Sequence, residues 1–292
     1  MHTLRSIWFA SLVLLVFLTA GCASSSEPLP SADYSGMSAY EAVLAEAEAR
    51  GIQLTAEEEA TAAANAKQDL LELEKTDEAG QYTLEDLTES YRYSMLFDQL
   101  SEIFVPKTGI KEADLRSWYK ERYAALEKAY ADNPGVFKNL QEQYDLYGGV
   151  PPLIVPEGYV RVRQILVEDR ATAEDVLSQL EAGADFDEMM ERYNIDEGMK
   201  AEPYRSFGYL IGPYEATRDY LSEMKEAALA LTEVGQISGV VESSAGYHII
   251  RLEEKLTAGS VSYASVRDSI FTMLDANERE KTFNAMVENW IE

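Results

Sequence analysis

Ala245-Gly246-Tyr247-His248-Ile249-Ile250-Arg251-Leu252 runs a glycine turn into an apolar strand. Side chains alternate along a strand, so His248 shares a face with Ile250 and Leu252, while Tyr247, Ile249 and Arg251 share the other. A polar ring therefore lies on an apolar face. Taken alone, that is a hydrogen-bonded core histidine or a residue at a sheet margin. Its setting depends on the elements upstream. Val160 to Val167 (VRVRQILV) reads as a second strand, with Val160, Val162, Gln164 and Leu166 on one face, so Gln164 is a second polar group among apolar neighbours.

Between the two strands, Thr172-x-x-Asp175 caps a helix through Val176, Leu177 and Leu180 that stops near Gly183. Phe186 to Tyr193 is a short helix, and Asn194 to Gly198 leaves it as a loop. Ser206-Phe207-Gly208-Tyr209-Leu210 reads as a short strand, Tyr220 to Leu231 as a helix, and Val234 to Val241 as a turn entering a strand. The order β-α-α-β-α-β-β describes an α+β unit of about one hundred residues. Gly148-Gly149-Val150-Pro151-Pro152 through Pro156 is a stiff linker that marks its upstream boundary.

Upstream of that linker the chain is helical. Ser38-x-x-Glu41 and Thr55-x-x-Glu58 are capping-box patterns opening helices that end near Gly51 and Glu74, and Thr83-x-x-Asp86 opens a third that ends at Pro106. A fourth runs from Ile110 towards Ala131. Tyr91, Tyr93, Phe97, Trp118, Tyr119 and Tyr123 form an aromatic stripe, readable as core or as a groove for unfolded chains. Ser265-x-x-Asp268 caps a last helix with Ile270, Met273, Leu274, Phe283, Met286 and Trp290, expected to return onto the N-terminal helices. The domains expected are a helical domain over 38–150, the α+β unit over 157–256 and a C-terminal helix over 261–292.

The N-terminus assigns the compartment. Residues 1–21 carry one charged side chain, Arg5, and the apolar run Ile7 to Leu18, too short for the ~20 residues a membrane span requires, so they read as an export signal. Ala20-Gly21-Cys22 resembles a bacterial lipobox, which implies cleavage before Cys22, diacylation of its thiol, and lipid anchoring of an extracytoplasmic protein. That places it on the outer face of the cytoplasmic membrane, or on the outer membrane of a two-membrane cell. Thr19 departs from that pattern. Residues 23–37 (ASSSEPLPSADYSGM) read as a tether.

Composition narrows the remaining chemistry. With 46% hydrophobic and 26% charged residues the chain is globular. Its net charge of −27 makes nucleic acid an unfavourable partner. Cys22 is the sole cysteine, so no disulfide or thiolate zinc site forms within one chain. His248 is the one histidine left after signal removal, and with no Gly-x-Ser-x-Gly there is no convincing hydrolytic triad. A transporter's solute-binding lipoprotein would need repeated parallel strand units, which this pattern lacks. No metal or cofactor is expected.

Seven signatures fall in one order: Arg163-Gln164-Ile165-Leu166-Val167, Gly183-Ala184-Asp185-Phe186-Asp187-Glu188, Tyr193 with Asp196, Phe207-Gly208-Tyr209, Ala228-Leu229-Ala230-Leu231, Val234-Gly235-Gln236-Ile237-Ser238 and Gly246-Tyr247-His248-Ile249-Ile250. Across residues 157–256 this resembles the parvulin (PpiC, rotamase) family of peptidyl-prolyl cis-trans isomerases. The wider layout resembles PrsA-type extracytoplasmic foldases and is similar to the SurA and PpiD-like chaperones. The resemblance implies a four-stranded antiparallel sheet with surrounding helices, beside an all-α N-terminal chaperone lobe completed by the C-terminal helix. It also implies exported, unfolded polypeptides with X-Pro bonds as partners, and admits a homodimer.

Carried over position by position, the family's second histidine matches His248, its Cys-or-Asp position Asp196, and a hydroxyl position Ser243. Its first histidine is replaced by Gln164. The proline pocket would include Phe207, Met224 and Tyr220. An X-Pro bond has a barrier of ~18–20 kcal/mol and isomerises without any bond being made or broken, so an apolar grip on the ring and polar groups favouring the twisted amide suffice. The short connection Glu168-Asp169-Arg170-Ala171 lacks a basic cluster, against phosphate-directed selectivity. Gln164 can hydrogen-bond but not titrate, which leaves a second reading, a non-catalytic holdase that keeps the fold for peptide binding.

Overall fold

The computed structural model describes residues 29–74, 76, 80–214 and 221–292. The export signal, Cys22 and Tyr220 lie outside the described residues. Contacts divide the chain into two compact units, one of residues 112–270, the other of the segment up to Lys111 together with Phe271–Glu292.

In the second of these, helices α1 (Ala39–Ala49), α2 (Ala56–Leu73) and α3 (Leu84–Phe104) begin where their caps predict. Ser38 and Glu41, and Thr83 and Asp86, exchange reciprocal capping bonds, as do Thr55 and Glu58. The alanines of α2, with Ala62 and Ala66 fully buried, let it lie close to α3. Polar bonds then join the pair, from Tyr91 to Asp69 (2.5 Å), from Arg92 to Glu59 (2.7 Å) and from Gln99 to Glu58 (2.9 Å). The core gathers Val43, Ala47, Phe97, Leu100 and Phe104 with Phe283 and Val287 of the C-terminal helix. The segment read as a tether is docked from Ser31 onward: Tyr34 is buried in this core, and its hydroxyl and Ser31 donate to the fully buried Glu46, which also pairs with Arg50. A buried carboxylate needs such donors, and the tether segment supplies them.

The other unit opens with α4 (Glu112–Asp132) and α5 (Val136–Tyr147). These helices lie with the sheet and not with the N-terminal helices, so the unit begins at Glu112 and not at the proline-rich linker. Two contacts explain it: Phe137 packs edge-on to Tyr159 at 4.6 Å, and Asp145 forms a buried 2.6 Å ion pair with Arg161. The aromatic stripe is thus divided between the units. Phe97 fills one core, Tyr93 stacks on Tyr40 at 4.8 Å, and Tyr119 and Tyr123 bond to Val261 and Ser260 in the other unit.

Strand β1 (Ile154–Val155) is followed by β2 (Val160–Val167), α6 (Arg170–Glu181), α7 (Phe186–Tyr193), a 3-10 turn (Glu197–Lys200), α8 (Tyr204–Phe207) and β3 (Tyr209–Ile211). Then come α9 (Ser222–Ala230), β4 (Val241–Ser243), β5 (Gly246–Lys255), β6 (Gly259–Ser260) and α10 (Tyr263–Ile291). Four strands form an antiparallel sheet in the order β3-β2-β5-β4, and β1 pairs with β6. The sheet has two covered faces. Val160, Val162, Ile211, Ile250 and Leu252 pack on Met224, Ala228 and Leu231 of α9. Ile165, Val167 and Ile249 pack on α6 and α7.

Three local expectations are corrected. The cap of α6 is Asp169, whose carboxylate accepts from Thr172 N, so Thr172 lies inside the first turn. The last helix likewise starts earlier, with Ser262 accepting from Ser265 N. Ser206 and Phe207 are not strand: they end the helical turn α8, steadied by Glu202 accepting from Ser206 and by Ser206 O accepting from Arg163. Gly208 at φ 76° then redirects the chain into β3, and a Cβ there would stand 2.5 Å from Val162 O.

Candidate active site

In the register Leu166↔His248 and Gln164↔Ile250, His248 and Gln164 are diagonal neighbours on the α9 face of the sheet. Both are buried, at 2% and 5% exposure, so their polar atoms need partners within the protein. They find them in one chain. Ser243 Oγ lies 2.6 Å from His248 Nε2, His248 Nδ1 lies 2.8 Å from Gln164 Oε1, and Gln164 Nε2 donates to Asp196 Oδ2 at 2.6 Å. Tyr209, on β3, donates its hydroxyl to the same Asp196 oxygen at 2.9 Å. Asp196 Oδ1 accepts from Gly198 N at 3.0 Å as the cap of the 3-10 turn.

The direction of this chain follows from chemistry. The Gln164 NH2 faces the carboxylate, so its carbonyl oxygen faces the imidazole and requires a proton on Nδ1; Nε2 is then the acceptor for the Ser243 hydroxyl. Burial lowers the His248 pKa from its ordinary 6.5, against the opposing charges of Asp196 and Glu223, which keeps the ring neutral as the chain requires. Burial, and next the charge of Asp196, raises the Tyr209 pKa, so its hydroxyl stays a donor.

Of the residues expected in the site, Gln164, Asp196, Ser243 and His248 are brought together by these bonds. Met224 is on the same face, packed with Val162 and Ile250. Phe207 is 44% exposed, with the Arg161 guanidinium 5.3 Å from its ring, and it is not part of the Met224 cluster. Its place at the end of α8 turns it away from the strand position expected for it. Tyr220 lies outside the described residues.

Two residues were passed over. Tyr209 stood in the Phe207-Gly208-Tyr209 signature without a role. Asn194, 6% exposed, accepts on Oδ1 from Leu166 N at 2.9 Å and Asp196 N at 3.1 Å, and so ties the Asp196 loop to β2. An Asx residue two places before the carboxylate was the available signal. Ser243, His248 and Gln164 also lie in a line that a nucleophile, base and orienting group would share. The third member is an uncharged amide, which cannot stabilise an imidazolium as a carboxylate does. Among the described residues, no cluster of three His, Cys, Asp or Glu is arranged to hold a metal.

Residues 139–268 match the family model of the PPIC-type PPIase domain. Over those residues the chain is similar to that domain. Foldase protein PrsA of Halalkalibacterium halodurans is 36% identical over 123 residues, 42% of this chain and 33% of that protein. Foldase protein PrsA of Geobacillus kaustophilus is 31% identical over 144 residues, 49% of this chain and 46% of that protein. In each case the chain spans less than half the relative's length. The crystal structure of PrsA from Bacillus subtilis is 20% identical, with a TM-score of 0.35 over 86% of this chain and 77% of that one. The parvulin match contains every residue of the Ser243-His248-Gln164-Asp196 chain as well as Tyr209 and Met224.

Proposed function

We propose that this chain is an extracytoplasmic foldase that catalyses cis-trans isomerisation of X-Pro bonds in exported polypeptides, held at the membrane by a lipid on Cys22. The observation that carries the reading is the unbroken chain from Ser243 through His248 and Gln164 to Asp196, beside the apolar side chain of Met224. Uncatalysed, the X-Pro bond turns over in tens to hundreds of seconds, and its transition state is an amide twisted out of conjugation. A fixed, hydrogen-bonded network at the margin of an apolar face favours the twisted amide without reorganising, and no nucleophile is required. Gln164 substitutes for the family's first histidine as a spacer, donating at one end and accepting at the other.

A second reading, a holdase that binds proline-bearing segments without turning them over, is favoured by Gln164, which can hydrogen-bond but cannot titrate where the family's first histidine is expected. Isomerisation of a short X-Pro peptide and proline-limited refolding of a client, measured side by side, separate the two. Isomerase action predicts that Asp196→Ala slows both at least about tenfold, the loss expected on removing a group that orients catalysis. Equal inertness of wild type and Asp196→Ala, with client aggregation still suppressed, would leave the holdase. Mass spectrometry of the mature chain tests the anchor: a diacylated Cys22 supports it and an unmodified thiol refutes it.

A further inference from the structure

We propose that the cleft bounded by α7, the 3-10 turn and α8 is a second binding site, built to take a carboxylate-bearing stretch of polypeptide. The cleft has a volume of about 170 Å³ and is lined by Met190, Glu191, Asn194, Met199, Lys200 and Arg205. One water needs only ~10–15 Å³, so there is room for a side chain.

The buried amide of Asn194 points to the ligand's chemistry. Its oxygen is held by the backbone N–H groups of Leu166 and Asp196, which fixes the opposite end as NH2. That nitrogen is buried and has no hydrogen-bond partner. A buried donor without an acceptor is an unfavourable state that an incoming oxygen relieves. Arg205, exposed on α8, has no ion-pair partner among the described residues, whereas Lys200 is paired with Glu197 at 2.7 Å. With Lys200 taken up by Glu197, Arg205 is the lining cation left to meet an incoming negative charge, beside the carboxylate of Glu191. Met190 and Met199 supply an adaptable apolar wall. A carboxylate next to an apolar side chain satisfies all three features: an acceptor for Asn194, a fork for Arg205 and a surface for the methionines. The low count of cations suits one negative charge better than the two of a phosphate.

This site is separate from the proline-binding face and does not depend on isomerase activity. It is nevertheless wired to that face, because Asn194 Oδ1 accepts from the backbone of Asp196 itself. An occupant of the cleft would thus be read at the Asp196 loop.

The test is a titration of the intact, 15N-labelled chain with the proline-free peptide Ac-Ala-Leu-Glu-Leu-Ala-NH2, its Gln counterpart, and acetate. The Glu peptide is expected to shift the Asn194 side-chain NH2 and Asp196 backbone resonances saturably. Replacing Glu by Gln in the peptide, or Arg205→Ala in the protein, is expected to weaken binding at least about tenfold through loss of the charge-assisted pair. Acetate at the same concentration is expected to leave both resonances in place. Equal binding of the Gln peptide, unchanged binding by Arg205→Ala, or shifts confined to other residues would overturn the proposal. Acetate reproducing both shifts would overturn the assignment to polypeptide and leave a site for small carboxylates. Arg205 is exposed, so its truncation leaves the core untouched.

Discussion

The amide of Gln164 has a carboxylate at one end and an imidazole at the other, and this polarity requires His248 to stay neutral. A consequence follows for stability against pH. In the unfolded chain His248 takes up its proton near 6.5, and in the fold it does so at lower pH because burial opposes the charge. Between the two values the unfolded state binds more protons, so this contribution is complete above the ordinary value and is lost as pH falls through the folded one. Urea unfolding from about pH 7.5 to about pH 5 should show stability declining on acidification, with a smaller decline in His248→Gln, where the titrating ring is gone. Equal slopes in both proteins would refute the neutral-ring network. At this scale the sequence was informative about the pair: alternation along two strands places both polar groups on one apolar face. It could not show that the glutamine bridges, since that depends on Asp196 returning from a loop, nor that Tyr209 shares the same carboxylate.

Among the longer helices, α5 has no signature in the sequence, and the reason is physical. The helix is short and polar, Phe137 is its single buried apolar residue, and turn signals flank it. What holds it is a long-range ion pair, Asp145 with Arg161, at 4% and 7% side-chain exposure. Strand patterning cannot forecast such a pair. Removing Asp145 leaves the buried Arg161 with only the exposed Glu254 at 3.4 Å, so Asp145→Ala should cost ~3 kcal/mol in chemical denaturation, and Asp145→Leu with Arg161→Met should recover most of it. A cost below about 1 kcal/mol for the single change would mean that the pair is solvated. The caps divide in the same instructive way. The boxes at Ser38, Thr55 and Thr83 were legible because box and apolar stripe begin together. Those at Thr172 and Ser265 were misplaced by three residues, because Asp169 and Ser262 offer equally good cap oxygens one turn earlier. Phe207 was misread through Gly208, whose left-handed backbone ends a helical turn where alternation had suggested a strand.

At the scale of the molecule, one unit is a single stretch of chain and the other is assembled from two. Phe283 joins them in the assembled unit, fully buried against Phe97 and Phe104 at 4.8 and 5.6 Å between ring centres. Phe283→Ala should therefore cost ~3–5 kcal/mol in that unit. By NMR, amides of residues 29–111 and 271–292 are expected to lose hydrogen-exchange protection while those of β2 and β5 keep theirs. Uniform loss across the chain would contradict the division. The two-part composition was foreseeable from the change of periodicity and from the apolar stripe of the last helix. The boundary at Glu112 was not, because the proline-rich segment is a stronger local signal than the contacts that carry α4 and α5 to the sheet.

The discontinuous unit also sets a timetable. Thr108 bonds to Asp275 across 167 residues, and the aromatic core closes over similar separations. As the chain emerges from a ribosome or an export channel, α1, α2 and α3 appear first yet cannot complete their core until the last twenty or so residues follow. The sheet-bearing unit is contiguous and can finish before them. During its own birth this protein therefore presents an uncovered helical surface beside a finished domain, and for that interval it has the needs of a client.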